Sequence, residues 1–146
     1  MSNVDLPAAR GTYVLVLKLE NSVTAQAGRL GTAHLEAGWT IYVGSAHGPG
    51  GLRARLRRHL RPDKALHWHI DALTAVASVS VIWVDTSPVR LECVWARTLA
   101  ALPGVTIPLK GFGSSDCGCE SHLFQLRDVN RVWDALGRPR VVCCDS

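Results

Sequence analysis

The sequence predicts one α/β domain of the α+β kind: a small central antiparallel sheet of three or more strands flanked by helices. Three observations predict it. Short runs rich in β-branched and aromatic residues, YVLVLKL (13–19), WTIYV (39–43) and VSVIWV (79–84), each lie between turn residues. Leu52, Leu56 and Leu60 recur every four residues, which is the buried stripe of an amphipathic helix. Finally, 47% of the 146 residues are hydrophobic, enough for one compact core and marginal for two.

The elements follow in chain order. The first strand is 13–19. Gly28 and Gly31 mark a hairpin tip at GRLG, strand character resumes at Ala33–Leu35, and Gly38 breaks it. Residues 39–43 form the next strand, and an antiparallel meander is the economical way to join runs so closely spaced. HGPGG is a loop. The leucine-stripe helix follows it and is limited by Pro62. HWHIDALTAVA reads as a second helix and 79–84 as a strand. Ser87-Pro88 reads as a cap and first turn, predicting a third helix from about Pro88 to Leu102, stopped by Pro103. PGVTIPLKGFGSSDCGCES is loop-like, and HLFQL reads as a last strand. DVNRVWDAL has helical spacing, and the tail from Gly137 is expected to be poorly ordered. The division is an N-terminal extension (1–10), a main domain (11–126) and a C-terminal helix and tail (127–146).

Charge and cysteines narrow the class. Formal net charge is +4, and five of the 16 Lys and Arg residues are arginines between Arg53 and Arg61. Such a stripe suits a polyanion, and arginine forks suit phosphate; the plainer account is a solvated helix face. No run approaches the roughly 18 apolar residues of a membrane span, and no secretory signal is visible. The five cysteines do not look like a disulfide framework, so a cytoplasmic location is the expectation.

The candidate chemistry lies in one ordered constellation. Gly11-Thr12-Tyr13 opens the first strand and Tyr42-Val43-Gly44-Ser45 closes the second. The arginine helix follows, and Glu92 is the sole acid between Asp85 and Asp116. It sits in the apolar segment LECVWARTLA, where an unpaired carboxylate would be costly to bury. Its alternative role is an ion pair with Arg90 or Arg97. His59 is one turn after Arg55 and shares its helix face; it is either a site histidine or a surface one.

This pattern resembles the GIY-YIG nuclease superfamily, with Gly11-Thr12-Tyr13 in place of Gly-Ile-Tyr and Tyr42-Val43-Gly44 in place of Tyr-Ile-Gly. YVGSA, LHWHID, RLEC and GFGSSDCGCESHLF make it most similar to the small stand-alone Uri-type branch, over residues 11–126. The resemblance implies that fold and a metal-dependent endonuclease that hydrolyses DNA phosphodiester bonds, structure-selective or weakly sequence-specific, with a place in repair or recombination. It implies catalytic roles for Tyr13, Tyr42, Arg55, His59 and Glu92. Arg55 would hold the scissile phosphate, and Glu92 would bind one Mg²⁺ or Mn²⁺. The base would be a phenol, with Tyr42 preferred, or His59. A phenol can serve near neutral pH only if a nearby cation lowers its pKa from about 10 or the metal acidifies the attacking water.

Ser45, Arg53, Arg57, Arg58 and Arg61 are candidates to contact DNA, as are His67, His69, Ser114 and Ser115. Ser114, Ser115 or Asp116 would replace an asparagine that some relatives carry and this chain lacks. Trp68 either stacks a base or packs the helix. His67, His69, Cys117, Cys119 and His122 are ligand types that zinc accepts, but C-x-C-x-x-H is not the usual two-pair spacing, so zinc is not expected. DNA is the expected partner; no membrane or protein partner is indicated. The alternative class is a nucleic-acid-binding module of the same fold that does not cleave.

Overall fold

The computed structural model describes residues 6–61, 68–114 and 117–143. Seven strands are present among them: β1 (Gly11–Leu19), β2 (Val23–Gln26), β3 (Thr32–Leu35), β4 (Gly38–Ala46), β5 (Val79–Asp85), β6 (Leu123–Leu126) and β7 (Arg140–Cys143). Four α-helices accompany them: α1 (Gly51–Leu60), α2 (His69–Thr74), α3 (Glu92–Ala100) and α4 (Val129–Ala135). The main sheet runs β6-β4-β1-β5-β7, and every pairing in it is antiparallel. No helix among the described residues is long and apolar enough to cross a membrane.

β1 lies at the centre of that sheet, which explains its nearly unbroken apolar sequence. A strand buried on both faces loses the hydrophobic–polar alternation of a half-exposed one. Tyr13, Leu15 and Leu17 join a core cluster with Leu52 and Leu56 of α1 and Ile70 and Leu73 of α2. Val14 and Val16 join a second cluster with Trp95, Ala96 and Leu99 of α3 and Val132 of α4. Leu15 and Leu17 are fully buried, and each contributes about 1.5–3 kcal/mol.

Three expectations are corrected. The early strands do not form a simple meander: β2 and β3 pair as a separate hairpin, and β1 pairs with β4 in register from Gly11↔Ala46 to Leu19↔Gly38. The third helix begins at Glu92 rather than Pro88. The Asp85 carboxylate accepts from the Ser87 N–H at 2.7 Å, and the Ser87 hydroxyl from the Val89 N–H at 3.2 Å. These local turns compete with helix. The described part of the tail is ordered: residues 140–143 form β7 on β5, and Val142 is buried. The indole N–H of Trp133 donates to the Pro139 carbonyl at 2.8 Å and directs the chain there. The residues before β1 also pack, since Leu6 is buried and the carbonyls of Pro7 and Ala9 accept from the first amides of α1.

Candidate functional site

The side chains singled out by the sequence gather at one end of the main sheet, where β1 begins and β4 ends. Cross-strand register sets Tyr13 opposite Gly44, and Leu15 opposite Tyr42. The Tyr13 ring lies over Gly44 so closely that any Cβ there would overlap its hydroxyl. Gly11 is crowded in the same way by the Asp85 carbonyl of β5. Both glycines of the two triplets are therefore required by close packing.

The Tyr13 hydroxyl lies 2.6 Å from His59 Nε2, with both residues almost fully buried. With that nitrogen unprotonated, the phenol donates to it. Tyr42 is the third member: its ring centroid is 6.5 Å from Tyr13 and 6.5 Å from His59. Arg55, one turn before His59 on α1, donates to the Ser45 carbonyl at 3.0 Å, and its charge acts on Tyr13. Its guanidinium lies 4.4 Å from the Trp68 ring, whose indole packs against Arg58 as well, at 4.1 Å. Such cation–π contacts contribute about 0.5–1 kcal/mol each. Trp68 thus takes the packing role.

Glu92 heads the inward stripe of α3, in line with Trp95, Ala96 and Leu99 at helical spacing. The amide of Leu91 is fixed by the buried Thr12 hydroxyl of β1 at 3.3 Å, which brings the helix start to the same sheet end. Glu92 Oε2 is 3.1 Å from His122 Nδ1, an ion-pair contact, and the carboxylate is 27% exposed. The expected alternatives, Arg90 and Arg97, are not its partners. Its charge acts on both phenols.

Burial decides the state of those phenols. It pushes Tyr13 far above the usual phenol range; the charge of Arg55 opposes it and loses. Burial also raises Tyr42 well above that range, with Tyr13 and Glu92 adding to the effect and Arg55 again opposing. The preference for Tyr42 as a cation-acidified base does not survive this balance. Both hydroxyls stay protonated at neutral pH.

The remaining candidates separate. Arg53, Arg57 and Arg61 are exposed, and Arg53 also donates to the Leu6 carbonyl. Arg58 makes a two-pronged pair with Asp71, at 2.8 and 2.9 Å, and that carboxylate is fully buried. Its charge is therefore spent inside the fold. Ser45 is half-buried and presents its carbonyl to Arg55. His69 Nδ1 accepts from the Gly113 amide at 2.9 Å and ties α2 to the loop before β6. Ser114 is buried, and its hydroxyl has no hydrogen-bond partner among the described residues. His67, Ser115 and Asp116 lie outside the described residues.

A second group was seen only in part in the sequence, which marked Cys117, Cys119 and His122 but not Cys93. Cys93 of α3, Cys117 and Cys119 of the loop, and His122 place one donor atom each within 4.8 Å of all the others, and together they could hold a metal ion. The case against zinc rested on C-x-C-x-x-H spacing, and the missing ligand comes from a helix far back in the chain. Cys93 directly follows Glu92, which was the only available signal.

A family model described as Domain of unknown function DUF123 matches residues 12–138. No curated protein and no solved structure matches the chain.

Proposed function

The chain belongs to the DUF123 family, and we propose that it is a GIY-YIG-type endonuclease that hydrolyses DNA phosphodiester bonds. The observation that carries this reading is the convergence of two phenols, a guanidinium, an imidazole and a carboxylate at one sheet end, although they come from β1, β4, α1 and α3. A purely structural cluster has no need for an acid that acts on two buried phenols beside an arginine.

In this reading Arg55 binds the scissile phosphate and offsets charge as water attacks phosphorus in line. Its guanidinium is preoriented by the Ser45 carbonyl and the Trp68 face. The water's proton moves to a phenol as that phenol passes its own proton to His59 Nε2. The Tyr13–His59 contact of 2.6 Å suits such a transfer. Relay fits the high proton affinity of both hydroxyls better than a resting phenolate does.

Glu92 fits one hard divalent ion. It is a partly exposed oxygen donor with Oε2 turned to His122 and Oε1 unengaged among the described residues. A Mg²⁺ or Mn²⁺ ion held there supplies Lewis-acid stabilisation of the developing phosphate charge.

The test is nicking of labelled single-stranded, duplex, flap and branched DNA with Mg²⁺ or Mn²⁺. Wild type should cut at least one form, and Glu92→Gln and Arg55→Ala should lower kcat by about 10²–10³-fold, the scale of one lost charge-stabilising group. DNA binding by wild type without cleavage of any form, under either ion, would instead establish a non-cleaving module.

A further inference from the structure

We propose that Cys93, Cys117, Cys119 and His122 form a closed, tetrahedral Zn²⁺ site that staples the loop before β6 to the start of α3. The zinc site stands apart from the nuclease reading; only its effect on Glu92 rests on that reading.

The geometry and the ligand chemistry agree. In a tetrahedral site with Zn–S near 2.3 Å and Zn–N near 2.0 Å, donor atoms lie about 3.5–3.8 Å from one another. Cys117 Sγ is 3.4 Å from His122 Nε2, and all four donors fall within a 4.8 Å limit, so small side-chain rotations close the shell. Cys93 Sγ lies within 4.8 Å of both other sulfurs and of a His122 ring nitrogen. The three cysteines are half-buried, Cys119 against the second core cluster, and their sulfurs lie within 4.8 Å of one another. Three thiolates and an imidazole select a soft or borderline ion, and Mg²⁺ avoids them. Four protein ligands leave no open position, so the ion is structural.

The loop would gain such a tie on the side that its present fastenings do not reach. Its base is fastened by the Gly111 amide to the Glu120 carbonyl at 2.6 Å and by the His122 amide to the Phe112 carbonyl at 2.8 Å. Phe112 anchors it in the core beside Tyr42 and His69, and the Gly113 amide donates to His69. Zinc would fix the far side of the same loop to α3. It would also settle the His122 ring. With Nε2 on the metal, Nδ1 would carry the proton; it lies 3.1 Å from Glu92 Oε2 without hydrogen-bond alignment, and a small turn of the carboxylate would complete the carboxylate–histidine–metal arrangement that holds ligands in orientation. His122 and the zinc are then positioning groups for Glu92, and the two metals are sorted by ligand softness: zinc on sulfur, Mg²⁺ on oxygen.

The test is elemental analysis of the full chain purified under reducing conditions without chelator, together with cobalt substitution of the wild type. One zinc per chain is expected, with cobalt giving the visible bands of a tetrahedral thiolate site. Cys93→Ser and Cys119→Ser should lose the metal, while Glu92→Gln should keep it with about tenfold weaker affinity. A wild-type chain that takes up no zinc on titration, or whose thiols react equally fast with and without zinc, overturns the site; so does iron in zinc's place, or undiminished zinc in Cys93→Ser. The cobalt spectrum needs no variant, so misfolded mutants cannot obscure the result. A chain that holds zinc but cuts no DNA removes the nuclease reading and leaves the site standing. Loss of zinc from Cys93→Ser with wild-type cleavage removes the positioning of Glu92.

Discussion

Substituting Gly44 by alanine tests the packing that builds the site. A methyl group there overlaps the Tyr13 hydroxyl and ring, and β1 is buried on both faces, so the ring cannot swing into solvent. Overpacking a well-packed core costs about 1–3 kcal/mol. Displacing the phenol also breaks its bond to His59, worth about 1 kcal/mol. Alanine restricts the unfolded chain and offsets about 0.4–1 kcal/mol of this. The net expectation is a loss of about 1–3 kcal/mol, read as a lower urea midpoint at unchanged slope. Gly48→Ala is the control, because a Cβ there meets open space, and it should stay within about 0.5 kcal/mol of wild type. Tyr13→Phe alone should cost about 1 kcal/mol through the lost hydrogen bond to His59. The double variant should lose about 1 kcal/mol less than the sum, since the shared hydrogen bond is lost only once. If Gly44→Ala matches the Gly48 control, or the two losses simply add, the close approach of Tyr13 to β4 is wrong.

Two further outcomes follow from burial. The chain has only two tyrosines, so its alkaline ultraviolet titration reports both at once. Burial raises both pKa values, so the stability they confer is complete below the unfolded value near 10 and is lost only as pH climbs through the higher folded values. No tyrosinate should appear at pH 10 while circular dichroism remains native; half-ionisation there in folded protein contradicts the burial argument. At the Arg58–Asp71 pair, Arg58→Ala removes the opposite charge from a fully buried carboxylate, leaving it the Trp68 amide at 2.8 Å, and should cost about 3–5 kcal/mol. Asp71→Ala leaves a guanidinium that is 23% exposed, which water can screen, so its cost should be smaller, about 1–3 kcal/mol. Denaturation midpoints in the reverse order would show that burial does not control this pair.

The sequence made β1, β4, β5 and α1 legible because each carries its own periodicity and its own turn residues. The triplets also marked Tyr13 and Tyr42, and isolation in an apolar helix marked Glu92. What escaped depends on distance in space. β7 is four residues long and gains its order from pairing with β5 and from the Trp133 contact, neither of which is local. Asp71 gives no sign in the chain that it neutralises Arg58, so the arginine stripe looked more available than it is. Cys93 lies on a helix remote in sequence from the Cys117–His122 loop, and only the fold brings its sulfur there. For a phenol to act as base, a nearby cation had to lower its pKa or the metal had to acidify the water. That cation is present, but its effect is outweighed by a degree of burial that no residue list reveals.

The groups at the sheet end are drawn from both sides of β1: the phenols and Arg55 belong with α1 and α2, whereas Glu92 arrives on a helix anchored to the opposite cluster. Neither half of the interior can assemble the centre alone. A molecule in which either cluster has opened therefore lacks the complete constellation, because opening one side of β1 removes its share of the groups.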